Sequence, residues 1–212
     1  MGTRNLTCVV IDGEFKVAQY GQWDGYPTGQ GETIHKIITA PDFDVARFTE
    51  NVRACSWLTD EEREAAYKPY VTGDGWMTAE QAERFKASEW GYLSRDGGAD
   101  ILEVIYEKPR KVVDSRQFAA DSLFCQWAYV VDLDAQTLEI YKGFNGAPVP
   151  DGERFAEFNS DPAPEHRKGA KDYYPVKLIK TIPLAELQSF DMAAFEEELR
   201  AAEEAAEEGA EA

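Results

Sequence analysis

The sequence predicts an α+β fold in which helices pack on a mainly antiparallel sheet of about five strands. Three observations predict it: two strand–turn–strand patterns, a further strand-like run over residues 174–181, and apolar residues at helical spacing in the middle and at the end of the chain. The 212 residues are 43% hydrophobic and 12% aromatic, which is a globular composition with room for one core. We therefore expect one domain over residues 1–190, then an acidic helix with a frayed tail over residues 191–212.

The first hairpin is predicted at the N-terminus, where strand-like residues 5–11 and 14–20 flank Asp12-Gly13. This dipeptide suits a type I′ turn, because both central positions of that turn need positive φ. A two-residue turn fixes the register, so Val10 should face Phe15 and Cys8 should face Val17. The face of the hairpin expected to point into the core then carries five apolar residues, Leu6, Cys8, Val10, Phe15 and Val17.

Glycine and aromatic residues follow this hairpin in residues 21–31, GQWDGYPTGQG, which we call the aromatic loop. The same register carried outward places Asn5 opposite Tyr20, Arg4 opposite Gly21 and Thr3 opposite Gln22. Polar groups that converge among aromatic rings are typical of a small-ligand pocket. The alternative is a structural ion pair between Arg4 and Asp24 that only holds the loop. The candidate ligand-binding residues are Arg4, Gln22, Trp23, Asp24 and Tyr26.

Helices are predicted through the middle of the chain. Apolar residues at three- and four-residue intervals, Val45, Phe48, Val52 and Cys55, indicate one buried helical stripe. Ile101, Leu102 and Ile105 indicate another, which begins after Gly97-Gly98 and is stopped by Pro109. Two capping boxes mark further helix starts, Thr59 with Glu62 and Thr78 with Gln81.

Strands return in the last third of the sequence. Residues 126–132 and 137–142 predict a second hairpin, and residues 174–181 predict the fifth strand. Residues 143–172 have little periodicity and are expected to form a long surface excursion. Apolar spacing from Met192 onward predicts a C-terminal helix whose first turns dock on the domain.

The charge of the chain restricts its partners. Forty acidic residues against 22 basic ones give a net charge of −18, so direct nucleic-acid binding is not expected. No apolar run is long enough to cross a bilayer and the first ten residues lack a secretory pattern, so we expect a cytoplasmic protein without a membrane contact. The glycine spacing of the aromatic loop matches no nucleotide fingerprint, and no cofactor is predicted.

Candidates for catalysis or metal binding are few. The three cysteines include no C-x-x-C pair and the two histidines are far apart, so no metal site is predicted. Cys125 could act as a nucleophile with His35 or His166, although a buried, inert cysteine is the simpler interpretation. The turn Asp132-Leu133-Asp134 lacks the glycine and the distal glutamate of a calcium loop.

Residues 3–22, TRNLTCVVIDGEFKVAQYGQ, resemble the opening hairpin of N-terminal-nucleophile hydrolases such as the proteasome-type peptidases. The resemblance implies an αββα sandwich as the alternative fold and amide-bond hydrolysis as the alternative activity. It also implies that Thr3 would be the nucleophile and that its own amine would be the base. Removal of Met1 would leave Gly2 ahead of Thr3, so this chemistry would require that Gly2 is removed as well.

Over most of its length the chain resembles a group of bacteriophage and microbial proteins with no assigned activity. The shared motifs are a G-T-R-x-L start, the loop KVAQYGQWDGYP-x-GQG, and a later segment present here as Phe118, Asp121-Ser122-Leu123-Phe124-Cys125 and Trp127-Ala128-Tyr129. The resemblance implies a phage-encoded protein acting in the host cytoplasm. The leading hypothesis is a non-catalytic accessory protein that binds a small ligand or a host protein through the aromatic loop.

Overall fold

One five-stranded sheet organises the molecule in a computed structural model that describes residues 2–73, 75–160 and 173–211. Its strand order is β2-β1-β5-β6-β7, and all neighbours are antiparallel except the parallel pair β1–β5. A separate parallel pair joins β3 to β4. The predicted α+β fold is confirmed, and the single large sheet is not the two-sheet sandwich of the alternative. The strands are β1 Asn5–Ile11, β2 Glu14–Gly21, β3 Ser56–Trp57, β4 Lys111–Val112, β5 Trp127–Asp132, β6 Thr137–Lys142 and β7 Lys177–Pro183.

Seven α-helices lie in the described residues, joined by short 3₁₀ turns and one π turn over Pro27–Gly31. The helices are α1 Glu32–Ile38, α2 Val45–Arg53, α3 Asp60–Tyr67, α4 Ala79–Lys86, α5 Ile101–Glu107, α6 Leu184–Leu187 and α7 Met192–Glu211.

Strand β1 is buried along its whole length and separates two apolar cores. Val9 and Ile11 face a core covered by α1, α2, α5, α6 and the start of α7. Leu6, Cys8 and Val10 face a second core, which is covered by the 3₁₀ turns around Ala119 and Phe155. A third, smaller cluster around Phe85 belongs to α3, α4 and the turns that follow them.

The predicted hairpin has the expected turn but not the expected register beyond it. Asp12 and Gly13 both have positive φ, 55° and 72°, and Val10 pairs with Phe15 as predicted. A bulge at Lys16 then shifts the pairing by one residue, so that Val9 faces Val17. The pairings predicted for Cys8 and Asn5 are therefore wrong by one position: Cys8 faces Ala18 and Asn5 faces Gly21, so that Gly21 is not opposite Arg4. The predicted pairing of Thr3 with Gln22 lies beyond the paired residues and stays a prediction.

The bulge has a packing reason. In a regular ribbon Phe15 and Val17 would share one face, because strand side chains alternate with period two. The extra residue sends Phe15 to the second core and Val17 to the helix-covered core. Lys16 itself remains partly exposed and pairs with Glu14 at 2.8 Å. The hairpin thus has apolar residues on both faces, which suits a ribbon that lies between two apolar cores.

Both predicted capping boxes are present. The Thr59 hydroxyl accepts a hydrogen bond from the Glu62 amide at 3.2 Å, while the Glu62 carboxylate accepts one from the Thr59 amide at 3.1 Å. Thr78 and Gln81 make the same reciprocal pair at the start of α4. The helix predicted from Val45, Phe48, Val52 and Cys55 is shorter than expected, because α2 ends at Arg53 and Cys55 lies beyond it.

The last third of the chain follows the predicted order of elements. The hairpin β5–β6 has the expected strands, and the fifth strand begins a little later than expected, at Lys177. Of the predicted excursion, residues 161–172 lie outside the described residues. Helix α7 buries Met192 and Phe195, and it continues as a helix to Glu211.

A buried ion network fastens part of this excursion to the sheet. Arg154 donates to both Glu139 oxygens at 2.7 and 2.8 Å and to Asp132 Oδ2 at 2.6 Å. The Tyr141 hydroxyl also donates to Glu139, at 2.7 Å. The side chains of Glu139 and Asp132 are only 13% and 10% exposed, so little water is available to replace the guanidinium.

We expect Arg154→Met to lower the free energy of unfolding by about 3 kcal/mol, because it leaves two largely buried carboxylates without their partner. Arg200→Met is the matched control, since its ion pair with Glu197 is more than 60% exposed on both sides and should change stability by less than about 1 kcal/mol. Urea denaturation measures both values. Equal midpoints for the two variants would contradict a stabilising role for the network.

Candidate functional site

The N-terminal residues lie against the aromatic loop, although the register differs from the predicted one. The Gly25 amide donates to the Thr3 carbonyl at 2.8 Å, and Asn5 Nδ2 donates to the Trp23 carbonyl at 3.1 Å. The hydroxyl of the fully buried Tyr129 donates to the Gly25 carbonyl at 2.8 Å. The loop backbone is therefore held by strands β1 and β5.

The five candidate ligand-binding residues do not converge on one point. The Arg4 guanidinium lies 4.4 Å from the centre of the Phe124 ring, and it makes no ion pair with Asp24. Asp24 has a positive φ of 52° and accepts a hydrogen bond from the Tyr26 hydroxyl at 3.1 Å. This hydrogen bond and the charge of Asp24 raise the pKa of Tyr26. The predicted set is thus divided between different surfaces.

Gln22 and Trp23 contact residues that line a cleft which the sequence analysis did not predict. The Gln22 side chain accepts a hydrogen bond from the Tyr20 hydroxyl at 2.6 Å, and the Gln22 amide donates to the Arg95 carbonyl at 2.7 Å. Trp23 Nε1 donates to Asp96 Oδ1 at 2.8 Å. These contacts join the aromatic loop to the segment that follows α4.

The cleft, which we call the β2 cleft, has a volume of about 530 Å³ and opens between strand β2 and helices α3 and α4. Its apolar walls include Tyr20, Tyr67, Trp76, Met77, Phe85 and Leu93. Three charged side chains, Lys86, Arg95 and Asp96, also line it. An apolar cavity of this size with a few placed polar groups is the usual form of a small-molecule site.

The wall formed by α3 and α4 is well packed. Tyr67 stacks on Phe85 with ring centroids 4.7 Å apart, and the Tyr67 hydroxyl donates to the Leu93 carbonyl at 2.9 Å. Burial raises the pKa of Tyr67, so this hydroxyl stays a donor at neutral pH. Phe85 and Leu93 belong to the third core cluster, and they hold the wall in place without a ligand.

Asp96 is held at the rim of the cleft by an ion pair and a hydrogen bond. Asp96 binds Lys86 at 2.8 Å on one side and the Trp23 indole on the other. Its pKa is lowered first by the hydrogen bond from Lys86, and the hydrogen bond from Trp23 acts in the same direction against partial burial. Asp96 is therefore a charged acceptor fixed by one residue of the aromatic loop and one residue of α4.

Thr3 borders a different pocket of about 790 Å³ beside helix α7. There the amide and hydroxyl of Thr28 donate to Glu196 Oε2 at 2.8 and 2.7 Å. Lys142 pairs with Glu203 and lies 5.5 Å above the Trp127 ring. Thr3 follows Gly2 in the chain, so its nitrogen is an amide and has no basic lone pair.

Cys125 is enclosed in the second core. Its side chain is fully buried, and Sγ lies 3.4 Å from the Trp127 carbonyl. Burial raises the pKa of the Cys125 thiol well above its usual value, and Cys8 and Asp121 add to the shift. His35 lies on α1, with Nε2 at 2.8 Å from the Leu187 carbonyl, and is not placed beside Cys125. His166 lies outside the described residues.

Residues 2–73, 75–160 and 173–211 contain neither a cluster of metal ligands nor a helix suited to a membrane crossing. Within these ranges, no three His, Cys, Asp or Glu side chains are grouped closely enough to hold a metal ion. Within the same ranges, no helix combines the length and the apolar character that a membrane crossing requires.

We expect Cys8 and Cys125 to resist alkylation by iodoacetamide at about pH 8 in the native protein, because buried thiols with a raised pKa form little thiolate. Peptide mapping by mass spectrometry measures the modified fraction. The control is the same reaction in guanidinium chloride, where all three cysteines should react. Rapid native labelling of Cys125 would show an accessible thiolate.

No protein-family model, curated protein or solved structure matches the chain. The resemblances to phage proteins and to N-terminal-nucleophile hydrolases therefore stay predictions. Any function has to be argued from the β2 cleft and the residues that surround it.

Proposed function

We propose that the protein binds a small molecule with an aromatic or similarly flat apolar body in the β2 cleft, as an accessory binding protein and not as a catalyst. The observation that carries this proposal is a concave site of about 530 Å³ with Tyr67, Trp76 and Phe85 among its lining residues. Sites of a few hundred Å³ with aromatic walls are typical of small-molecule binding.

The exposure of Trp76 supports the same function. Trp76 is 72% exposed, the largest exposed fraction among the large hydrophobic residues of the described chain. Water contacts both the exposed Trp76 ring and the apolar wall of the β2 cleft. A ligand bound between the ring and the wall would displace this water, which is favourable. A small molecule suits this geometry better than a host protein, since a specific protein interface needs roughly 800 Å² on each partner.

The aromatic loop contributes by fixing the rim of the cleft. Gln22 holds the backbone of Arg95, and Trp23 holds the side chain of Asp96. Ligand binding therefore depends on the loop even though Asp24 and Tyr26 do not line the β2 cleft. A phage origin and a role in a host cell remain predictions from the resemblance.

We expect the neutral fluorescent dye N-phenylnaphthylamine to bind the wild-type protein and Trp76→Ala to weaken its binding by about tenfold, which is about 1.4 kcal/mol. The reason is the loss of one aromatic surface at the mouth of the cleft. Fluorescence titration measures the dissociation constants. Because Trp76 is largely exposed, the variant should keep the wild-type unfolding midpoint.

Phe144→Ala is the matched control for dye binding. Phe144 is 50% exposed but borders the pocket beside α7 and not the β2 cleft. This variant should bind the dye as the wild type does. The proposal is contradicted if the dye does not bind, or if Trp76→Ala and Phe144→Ala weaken binding equally.

Amide-bond hydrolysis is the second candidate, and one observation favours it: Thr3 borders a pocket large enough for a substrate. That activity requires a free amine on Thr3. Intact-mass analysis of the purified protein tests it, and we expect Gly2 to be retained. A mature terminus at Thr3 would instead favour the hydrolase.

A further inference from the structure

Among the described residues, those that line the β2 cleft carry two positive charges and one negative charge, in contrast to the acidic chain as a whole. The chain carries a net charge of −18, whereas the charged residues that line the cleft, within the part of the chain that the structure describes, are Lys86, Arg95 and Asp96. The negative charge of Asp96 is met by Lys86 at 2.8 Å, and Lys86 also contacts Glu83 at 3.1 Å. Asp96 and Glu83 thus share Lys86, and among the described residues that line the cleft Arg95 is the charged one without an ion pair.

Arg95 has no ion-pair partner among residues 2–73, 75–160 and 173–211, and its side chain is exposed. Its backbone carbonyl accepts a hydrogen bond from the Gln22 amide at 2.7 Å, which holds the backbone from which the side chain extends. Five other described arginines meet carboxylates, and four have no ion pair either, Arg4, Arg47, Arg84 and Arg110. Of the arginines without an ion pair, Arg95 is the one that lines the β2 cleft.

A second guanidinium, that of Arg4, does not line the cleft but belongs to the sheet face that carries the lining residue Tyr20. Leu6 pairs with Tyr20, and Arg4 is two residues before Leu6, so Arg4 and Tyr20 share one face of the sheet. The Arg4 side chain stacks on Phe124 at 4.4 Å, and its buried Nε has no hydrogen-bond partner. Burial raises the pKa of Tyr20, while the charges of Arg4 and Arg95 both oppose this shift. Both positive charges thus act on the Tyr20 hydroxyl.

We propose that the ligand of the β2 cleft carries an anionic group beside its ring, and that Arg95 binds this group at the Tyr20 end of the cleft with Arg4 as the second positive charge. The inference rests on the proposed function and adds the chemical class of the ligand. A guanidinium offers several N–H donors in one plane and binds oxyanions through them. The aromatic walls accept the ring and the rim accepts the charge.

A matched pair of dyes tests the anionic group. Anilinonaphthalenesulfonate is N-phenylnaphthylamine with one added sulfonate, so the two dyes share their ring system and differ in charge. We expect the sulfonate to bind the wild-type protein about tenfold more tightly than the neutral dye. Arg95→Met should remove most of this preference, which is the ratio of the two dissociation constants measured on the same variant. Arg4→Met should reduce the preference by a smaller factor, since its guanidinium is partly covered by Phe124.

Arg84→Met is the matched control, because Arg84 is exposed on α4 but does not line the β2 cleft. This variant changes the net charge by the same amount and should keep the full preference for the sulfonate. The preference should also fall as salt is added, as expected for a partly exposed charge pair. Equal loss of preference in Arg84→Met and Arg95→Met would overturn the assignment of Arg95.

The two proposals fail in different ways. If the neutral dye binds and Trp76→Ala weakens it, but the sulfonate gives no preference, the cleft binds rings and the anion site is wrong. If neither dye binds, both proposals are wrong.

Naphthyl phosphate and naphthoate distinguish a phosphate-bearing from a carboxylate-bearing ligand by displacement of the dye. Tighter binding of either one than of neutral naphthamide supports the anion site, and no difference from naphthamide overturns it.

Discussion

The burial of strand β1 on both faces is the constraint on which the other features depend. Every residue of β1 is buried, and β2 and β5 hydrogen-bond to its two edges. The residues just before β1 continue this arrangement, because the Thr3 carbonyl accepts from Gly25 and the Arg4 carbonyl accepts from Gln126 at 3.1 Å. The aromatic loop therefore leaves the end of β2 from a fixed point, and it can hold the segment around Arg95 in place.

The outer edge of β2 shows how the cleft is built without an open sheet edge. The Ser115 amide donates to the Ala18 carbonyl at 3.1 Å, and the Gln22 amide donates to the Arg95 carbonyl. Between these two contacts, the Gln19 side chain donates to the Tyr20 carbonyl at 3.1 Å. An edge strand covered in this way is protected against pairing with another chain. The cleft therefore lies beside an edge on which the Ala18 and Tyr20 carbonyl groups already have hydrogen-bond partners.

Features set by neighbouring residues could be predicted from the sequence, and features set by distant ones could not. The turn Asp12-Gly13 and the capping boxes depend on contacts within four residues, and they are present as expected. The bulge at Lys16 depends on which core each side of the hairpin meets, and the parallel pairing of β1 with β5 joins segments more than 100 residues apart. Neither leaves a local pattern, because both follow from packing of the whole domain.

The contrast between neighbouring and distant residues also explains which parts of the candidate site could be predicted. The adjacency of the first residues and the aromatic loop follows from the hairpin and could be predicted. A one-residue shift in register changes which face each side chain occupies, so the grouping of Arg4 with Asp24 could not survive the bulge. The residues that form the β2 cleft, such as Tyr67, Phe85 and Arg95, lie far from Tyr20 in sequence and meet it only through the fold.

Net charge is a sum over the chain, whereas a ligand responds to the charges within a short distance. Half of the net charge, −9 of −18, lies from Leu184 onward, and no residue of that region lines the β2 cleft. At physiological ionic strength, exposed charges are largely screened beyond about 8 Å. A small anion at Arg95 would therefore meet mainly the local positive groups, while a long polyanion would also meet the acidic surface outside the cleft. On this argument the acidity of the chain disfavours a long polyanion more strongly than it disfavours a small aromatic anion, and this difference would itself select the ligand by size.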